Sequence, residues 1–387
     1  MRIRLQIGRW TQGSKGRSTN KSSRVILRLS MGLFSSSPTQ ESFIGVDIGY
    51  AGMKLVELKN EKGRARLMTY AYADIPSESL EKSLLNDVPG TAKLLKEMCA
   101  KAKTTTKKAI AALPLSSVFS SILSVPTTDE KELKDAVSAQ AKKLIPLPLE
   151  EVSLDTKIID KKERDKKLDV KASTRVLVTA APKMLVQQYL DLFKQADLEL
   201  ASLETEAFAE IRSLIGKDHS TIMIIDIGSL RTNIMVVEAG IPFITRSIAS
   251  GGNAITQTIA KTLGIPLEQA ETMKRDIKSM QTFAPTGDLS PILSVLIKPI
   301  LDEVRYSFNL YQSQSSGNPK RIEKIILTGG SSLLPRLPEF ITQEMNVNAY
   351  LGNPWARVVY PPDLRPIIDE IGPRFAVPIG CAMRDIE

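Results

Sequence analysis

Two stretches of the same shape hold the residue types best suited to chemistry. Phe43-Ile44-Gly45-Val46-Asp47-Ile48-Gly49 and Ile222-Met223-Ile224-Ile225-Asp226-Ile227-Gly228 are apolar, β-branched runs that end in Asp-Ile-Gly. A second apolar segment follows each, 53–58 and 232–238, so each pair is predicted to form a hairpin. A strand that ends in Asp and turns back through Gly presents a carboxylate and free backbone N–H groups at the hairpin mouth. That is a place for a phosphate and its metal ion, and two such hairpins suggest two jaws. Downstream, a strand over 322–327 runs into Thr328-Gly329-Gly330-Ser331-Ser332 and then a helix from Pro335. Glycines there let the backbone approach a ligand, and a helix N-terminus offers unpaired N–H groups to an anion or polar ring. A helix predicted over 203–214 carries Glu204 and Glu206 into the second hairpin.

The elements that must position these groups follow from periodicity. A third strand around 67–72 completes a meander with the first hairpin. Residues 91–101 show helical spacing, and 109–113 read as a buried strand. The stretch 118–198 reads as a separate strand-helix-strand-strand-helix module, with strands at 118–125, 152–160 and 175–180 and helices at 129–145 and 183–196. The charge run 161–167 is a solvated hairpin tip. Beyond the second hairpin come a strand at 242–248, helices at 254–263 and 266–278, and a long helix over 289–311 that Pro299 should kink or split. Residues 314–319 read as a polar linker, and 375–384 as a short helix whose Gly380 and Ala382 permit close packing.

Composition bounds the rest. At 387 residues the chain is too long for one ordinary core, and 42% hydrophobic with 25% charged residues reads as a soluble globular protein. No apolar run reaches the roughly 18 residues needed to cross a bilayer. The net charge of +9 is concentrated in residues 1–30, where Arg2, Arg4, Arg9, Lys15, Arg17, Lys21, Arg24 and Arg28 face no Asp or Glu. The body is nearly neutral and poor in aromatics, which argues against a nucleic-acid-binding face. Residues 1–40 are expected to be a disordered basic arm. Met31-Gly32-Leu33-Phe34 reads as a start, with the upstream residues an extension or a targeting peptide. With Cys99, Cys381 and His219 as the whole complement of those types, a disulfide framework and a Cys/His zinc site are excluded.

The order of these signals resembles the actin, Hsp70 and sugar-kinase superfamily, over residues 41–384. The resemblance implies an α/β, actin-like (ribonuclease H-like) two-lobed ATPase fold that grips ATP and Mg2+ between its lobes. Asp47, Gly49 and Lys54 then resemble the first phosphate loop, with Asp47 orienting magnesium-bound water and Lys54 reaching the phosphates. Asp226, Gly228 and Thr232 resemble the second loop, Asp226 likewise meeting magnesium through water. Glu204 resembles the carboxylate of the first connecting motif that positions attacking water. Gly329, Gly330 and Ser331 resemble the adenosine motif, Glu271 and Lys274 the pair flanking ribose and base, and Gly380 falls in the second connecting helix. Two departures stand out: Tyr50 replaces a small hydroxyl residue, and Ser229-Leu230-Arg231 replaces a Gly-Gly-Thr run, with Arg231 a compensating charge. They imply nucleotide binding with at most weak hydrolysis.

Within the superfamily, the 118–198 insert and the run from Met31-Gly32-Leu33-Phe34 to Leu58 resemble the FtsA and PilM families, PilM in particular. The chain ends at Glu387 without the membrane helix usual in FtsA. The implied divisions are an arm (1–40), subdomain 1A (41–117, 199–220 and 351–387), the 1C insert (118–198), 2A (221–248 and 319–350) and 2B (249–318). The implied function is a cytoplasmic, ATP-binding scaffold of type IV pilus assembly and twitching motility, oligomeric, reaching the membrane only through partners. It would dock the N-terminal cytoplasmic peptide of the inner-membrane protein PilN and link it to other pilus inner-membrane and motor components. The alternatives are an FtsA-like cell-division filament protein and an active ATPase or kinase of the same fold.

Overall fold

The computed structural model describes residues 4–9, 41–75, 83–162, 173–276, 290–313 and 321–386. The Met31-Gly32-Leu33-Phe34 start, most of the 161–167 hairpin tip and the 314–319 linker lie outside them. Strand β1 spans Arg4–Arg9, β2 Ser42–Gly49, β3 Gly52–Glu61 and β4 Arg64–Asp74, followed by helix α1 over Val88–Ala102 and β5 over Lys108–Leu113. The insert comprises β6 (Phe119–Val125), α2 (Glu130–Leu144), β7 (Val152–Lys162), β8 (Ser173–Pro182) and α3 (Lys183–Gln195). Next come β9 (Glu199–Thr205), α4 (Glu206–Glu210), a π-helical turn (Ile211–Ile215), β10 (Ile222–Ile227), β11 (Thr232–Glu238) and β12 (Ile241–Ile248). The chain continues through α5 (Gly252–Leu263), α6 (Leu267–Arg275), α7 (Ser290–Leu296), α8 (Lys298–Ser313) and β13 (Lys324–Thr328). It closes with α9 (Leu337–Met345), β14 (Ala349–Leu351), β15 (Val358–Val359), α10 (Arg365–Ile371) and α11 (Ala376–Met383).

Two sheets repeat one plan. The first runs β1-β4-β3-β2-β5-β9 with β15 beside β4, and the second runs β12-β11-β10-β13-β14. In each, an antiparallel meander ends on the Asp-Ile-Gly strand, which then pairs in parallel with the next strand, β2 with β5 and β10 with β13. Such central strands are covered on both faces, which is why residues 43–48 and 222–225 are continuously buried and apolar apart from Asp47 and Gly45. The insert is a β6-β8-β7 sheet. Val176, Val178 and Ala180 on one face pack under Leu133, Val137 and Ala141 of α2.

Helix α11 binds the first lobe together through glycines. A Cβ on Gly45 would lie 1.8 Å from the Pro378 carbonyl oxygen, and one on Gly380 would lie 1.9 Å from that of Ala209. Only hydrogen at both positions lets α11 lie directly on β2 and α4. On the other side Trp355, Phe375 and Tyr70 form an aromatic cluster, with ring centroids 5.5–6.0 Å apart.

Two expectations change, and the expected split of the long helix holds. The helix over 203–214 is instead strand to Thr205, because residues 199–205 complete a parallel ladder with β5, and becomes helical only at Glu206. The long helix splits into α7 and α8 at Ile297; Pro299, lacking an N–H, sits where a new first turn needs none. The disordered arm is in part a strand: Arg4–Arg9 pairs antiparallel with β4, whose outer edge offers unsatisfied backbone groups.

Gly45→Ala is expected to destabilise the fold by more than about 3 kcal/mol, since a helix backbone must retreat from a strand. Gly63→Ala, at a left-handed φ of 78° with nothing within 4 Å, is expected to cost only about 1 kcal/mol. Urea unfolding of both variants checks the contrast.

Candidate nucleotide cleft

The two Asp-Ile-Gly hairpins face one cleft of about 760 Å³ between the two large sheets. Asp47, Gly49 and Lys54 line it from the first hairpin, and Asp226 and Gly228 from the second. Gly329, Gly330 and Ser331 line it from the turn after β13, and Glu271 and Lys274 from α6. Tyr50 and the Ser229-Leu230-Arg231 replacement also stand on its wall.

Asp47 and Lys54 are register partners on β2 and β3, and their side chains form an ion pair at 2.7 Å. The second hairpin tip is closed by Gly228 N–H donating to the Arg231 carbonyl, and the carbonyls of Gly228 and Ser229 accept from Gly252 and Asn253 at the start of α5. The turn after β13 fits beneath it. Gly329 has φ 83°, and a Cβ there would lie 2.2 Å from Asp226 Oδ1; one on Gly252 would lie 2.1 Å from Ser331 Oγ. Glycine is therefore required at position 329, where φ is left-handed and the Ile227 backbone is close, while at position 252 the nearest atom is a serine hydroxyl. On α6, Lys274 Nζ donates to Glu271 Oε2 at 2.6 Å, Thr256 Oγ1 at 2.9 Å and the Gly252 carbonyl at 3.1 Å. Burial lowers the Lys274 pKa, while Glu271 opposes that shift. Burial alone would raise Glu271, but the Lys274 ammonium draws it below the usual range.

Two of the expected residues point elsewhere. Thr232 is fully buried and donates to the Ser250 carbonyl at 2.7 Å, fastening β11 to the turn before α5. Glu204 is clamped by Arg212, with both of its oxygens accepting at 2.8 Å, and it lines a second, separate cavity. The carboxylates that enter the cleft are Glu206 and Glu210, one helical turn apart on α4. The strand-to-helix transition at Thr205 is the physical reason: Glu204 belongs to the ladder, and Glu206 opens the helix that turns inward. Their i and i+4 spacing on one helix is the sequence signal for this pair, which the reading centred on Glu204 missed.

Glu206 Oε2 accepts from Leu115 N–H at 2.8 Å and from Asn233 Nδ2 at 3.1 Å, while Asn233 Oδ1 accepts from Ser247 Oγ. Arg231 donates to Ser247 Oγ and its carbonyl, so its guanidinium is tied to β12 instead of standing free as a compensating charge. Burial, then the Asp47 charge, push Glu206 up to about 8 and Asp226 to about 6. Burial, then Asp226 and Glu206, hold Glu210 well above the usual carboxylate range, and its Oε2 is buried without a hydrogen-bond partner. Among the described residues, no group of three or more His, Cys, Asp or Glu side chains is placed to ligate a metal directly.

Arg374 was not foreseen. It bonds Asp74 Oδ1, lies over the Tyr72 ring at 5.0 Å and runs past Gly330, so it forms part of the cleft wall. The neighbouring Pro373 carbonyl accepts from Gly329 N–H at 3.2 Å and Thr328 Oγ1 at 2.9 Å, joining the C-terminal segment to the second sheet.

The second cavity, about 120 Å³, lies between the insert and the first lobe. Asp155, Lys157, Leu177 and Thr179 line it from the insert sheet face opposite α2, and Glu204, Phe208 and Arg384 from the lobe. No helix among the described residues is long and apolar enough to cross a membrane.

Paired sheets of one plan, a glycine-lined cleft between them and an α+β insert on the first lobe define an actin-like fold. The ethanolamine utilization protein EutJ from Carboxydothermus hydrogenoformans shares it, with a TM-score of 0.50 and 17% identity over 89% of this chain and 91% of that one. The PilM–PilN type IV pilus biogenesis complex contains a chain that matches with a TM-score of 0.73 and 26% identity, covering 91% of this chain and all of that one. Cell division protein FtsA of Neisseria meningitidis serogroup B is 23% identical over 385 residues, 88% of this chain and 89% of that one. The family of the type IV pilus assembly protein PilM matches residues 45–386, and this chain belongs to it.

The raised Glu206 fixes a sign for stability. With a folded pKa of about 8 against an ordinary 4.5, the folded state holds a proton that the unfolded state releases, so stability falls as pH rises between those values. Glu206→Gln is expected to be nearly neutral at pH 4.5 and to stabilise the unliganded protein at pH 8 by roughly 1–3 kcal/mol, less than the full pKa difference because the cleft admits water. Thermal unfolding at the two pH values measures it.

Proposed function

We propose that this chain is a nucleotide-binding scaffold of pilus assembly, holding Mg-ATP in the large cleft and docking the N-terminal peptide of a PilN protein beside its insert. The observation that carries the reading is the likeness, over 91% of this chain, to a chain of a PilM–PilN complex, joined to a cleft built from two Asp-Gly hairpins. The donor set fits the group. Four carboxylates converge with Lys54 as the cation paired among them, and burial has already raised three of them, so a divalent ion relieves a repulsion the chain alone sustains. Asp47 and Asp226 would hold magnesium through its water shell, and the ion would neutralise phosphate charge. The glycine-lined turns would admit the phosphates, Lys54 would exchange Asp47 for a phosphate oxygen, and Glu271, Lys274 and Arg374 would enclose ribose and base.

Hydrolysis would be weak on this reading. Glu206 already accepts two hydrogen bonds on one oxygen, and Tyr50 stands at the first turn where a short hydroxyl would fit. The protein would act in the cytoplasm as a coupling element, joining its membrane-borne partner to the pilus motor. Closure of the cleft on nucleotide would be a lobe movement about the contacts of Pro373. The cavity of Asp155, Lys157 and Glu204 would seat part of the PilN peptide.

Asp47→Ala and Asp226→Ala are each expected to weaken Mg-dependent binding of a fluorescent ATP analogue at least tenfold, with unfolding temperatures within a few degrees of wild type. The double variant Asp155→Ala/Lys157→Ala is expected to weaken capture by an immobilised PilN N-terminal peptide about tenfold while leaving the ATP titration unchanged. Unaltered titrations in both cleft variants refute the nucleotide site; failure of the wild-type chain to bind the peptide refutes the docking role.

A further inference from the structure

Strand β7 bounds the insert sheet on one side. The sheet order is β6-β8-β7, and among the described residues no strand pairs with the outer edge of β7. An open row of backbone N–H and C=O groups is a template for another strand, and native edges are commonly blunted by proline, a bulge or charge. In β7 the irregularity comes late, between Ile158 and Asp160, and Lys161 and Lys162 follow it. The stretch from Val152 to Ile158 keeps its register with β8 throughout and contains no proline.

The two faces of that stretch carry different chemistry. Leu154, Thr156 and Ile158 lie opposite Ala180, Val178 and Val176, and so share the face on which α2 packs. α2 lies over β8, however, and leaves Leu154 37% and Ile158 42% exposed at the margin of the sheet. The other face carries Asp155 and Lys157, opposite Thr179 and Leu177. Burial raises the Asp155 pKa and lowers that of Lys157, so each charge gains from an opposite one set beside it.

The order Leu154-Asp155-Thr156-Lys157-Ile158 is complementary to its own reverse. When two copies of β7 lie antiparallel about a two-fold axis at Thr156, Leu154 of each faces Ile158 of the other, and Asp155 faces Lys157. The apolar side chains left exposed in one copy then cover each other, and the charges are matched. Directly opposed residues, with Cβ atoms about 4.5–5.5 Å apart, are the pairs that stabilise an antiparallel ladder. Moving the axis to Asp155 or to Lys157 would instead set two like charges against each other, so the pattern selects one register.

We infer that the outer edge of β7 is a homodimer interface, where two copies of this chain join their insert sheets into one by isologous, antiparallel β7–β7 pairing centred on Thr156. The inference rests on neither nucleotide nor peptide. The pairing uses the edge of the strand, whereas the cavity proposed for the peptide lies on the sheet face toward the first lobe.

Sedimentation equilibrium of the full chain, with no nucleotide or peptide present, tests it. Wild type is expected to dimerise with a Kd of about 1–100 μM, as suits a small interface. Asp155→Lys sets lysine opposite lysine and Lys157→Asp sets aspartate opposite aspartate, so each is expected to weaken the dimer at least about tenfold. The double exchange Asp155→Lys/Lys157→Asp restores the match and is expected to dimerise like wild type. An equimolar mixture of the two single variants is expected to form the mixed dimer in preference to either homodimer. Thr156→Cys is expected to give an intermolecular disulfide under mild oxidation, because the two positions face each other across the axis at about 5 Å between Cα atoms. Ser153→Cys, about 20 Å from its mate, is expected to give none, and the native Cys99 and Cys381 are buried. The cross-linking pair decides if a charge variant does not fold. Wild type that stays monomeric at about 1 mM, single charge variants that dimerise as tightly as wild type, or failure of Thr156→Cys to cross-link would overturn the proposal.

Discussion

Burial of Asp226, Glu206 and Glu210 beside Asp47 is the constraint around which the molecule is built. Burial first, and like charge after it, raises the pKa of those three groups, so the fold must hold them there by other means. Buried apolar ladders do so. Asp47 ends a strand buried on both faces, and Asp226 ends another, each in the middle of a sheet. Glu206 and Glu210 ride on a short helix pinned by the Gly380 contact beneath α11. These elements are what let the carboxylates persist.

That division of labour explains the glycines. Gly45, Gly380 and Gly329 mark places where two backbones must come closer than a methyl group allows. Gly45 and Gly380 bring α11 against β2 and α4, Gly329 brings its turn against the second hairpin, and Gly252 leaves room for the Ser331 side chain. The first pair sets where the first jaw's strand sits, and the second pair shapes the floor between the jaws. Pro373 then joins the C-terminal segment to the second sheet through a single carbonyl with two donors. The lobes also meet across a packed apolar face, in which Leu115, Ala207, Ile211 and Ile215 lie against Ile222, Ile224, Met235 and Val237.

Much of this was legible in the chain. The hairpins announce themselves because a buried central strand is a short apolar run, and because Asp-Ile-Gly gives it an end. The split at Pro299 follows from a missing N–H. What stayed hidden depended on partners distant in sequence. Arg374 reaches Asp74 across 300 residues, and no local pattern encodes that pairing. Residues 203–205 read as the first turn of a helix over 203–214; only the ladder with β5, which runs through residues 199–205, decides. That ambiguity moved the expected carboxylate to Glu204, when the helix begins two residues later and Glu206 faces the cleft. The N-terminal segment was misread for a related reason: basic composition describes an isolated chain, whereas Arg4–Arg9 becomes a strand only beside an open edge.

Holding a nucleotide and cleaving it place different demands on the same cleft. Holding requires an anion-tolerant floor, a divalent ion with carboxylates to steady its water, and walls for the base. Cleavage further requires a carboxylate free to take a proton from water and donors that tighten on developing charge. Glu206 is already engaged by Leu115 and Asn233, and Asn233 is in turn engaged by Ser247, which also binds Arg231. These groups form one hydrogen-bonded chain from the second hairpin to α4. Freeing any one of them for catalysis would leave its neighbours unsatisfied, at about 1–3 kcal/mol for each buried group. The network that holds Glu206 in place is therefore one that would have to be broken before Glu206 could act as a base.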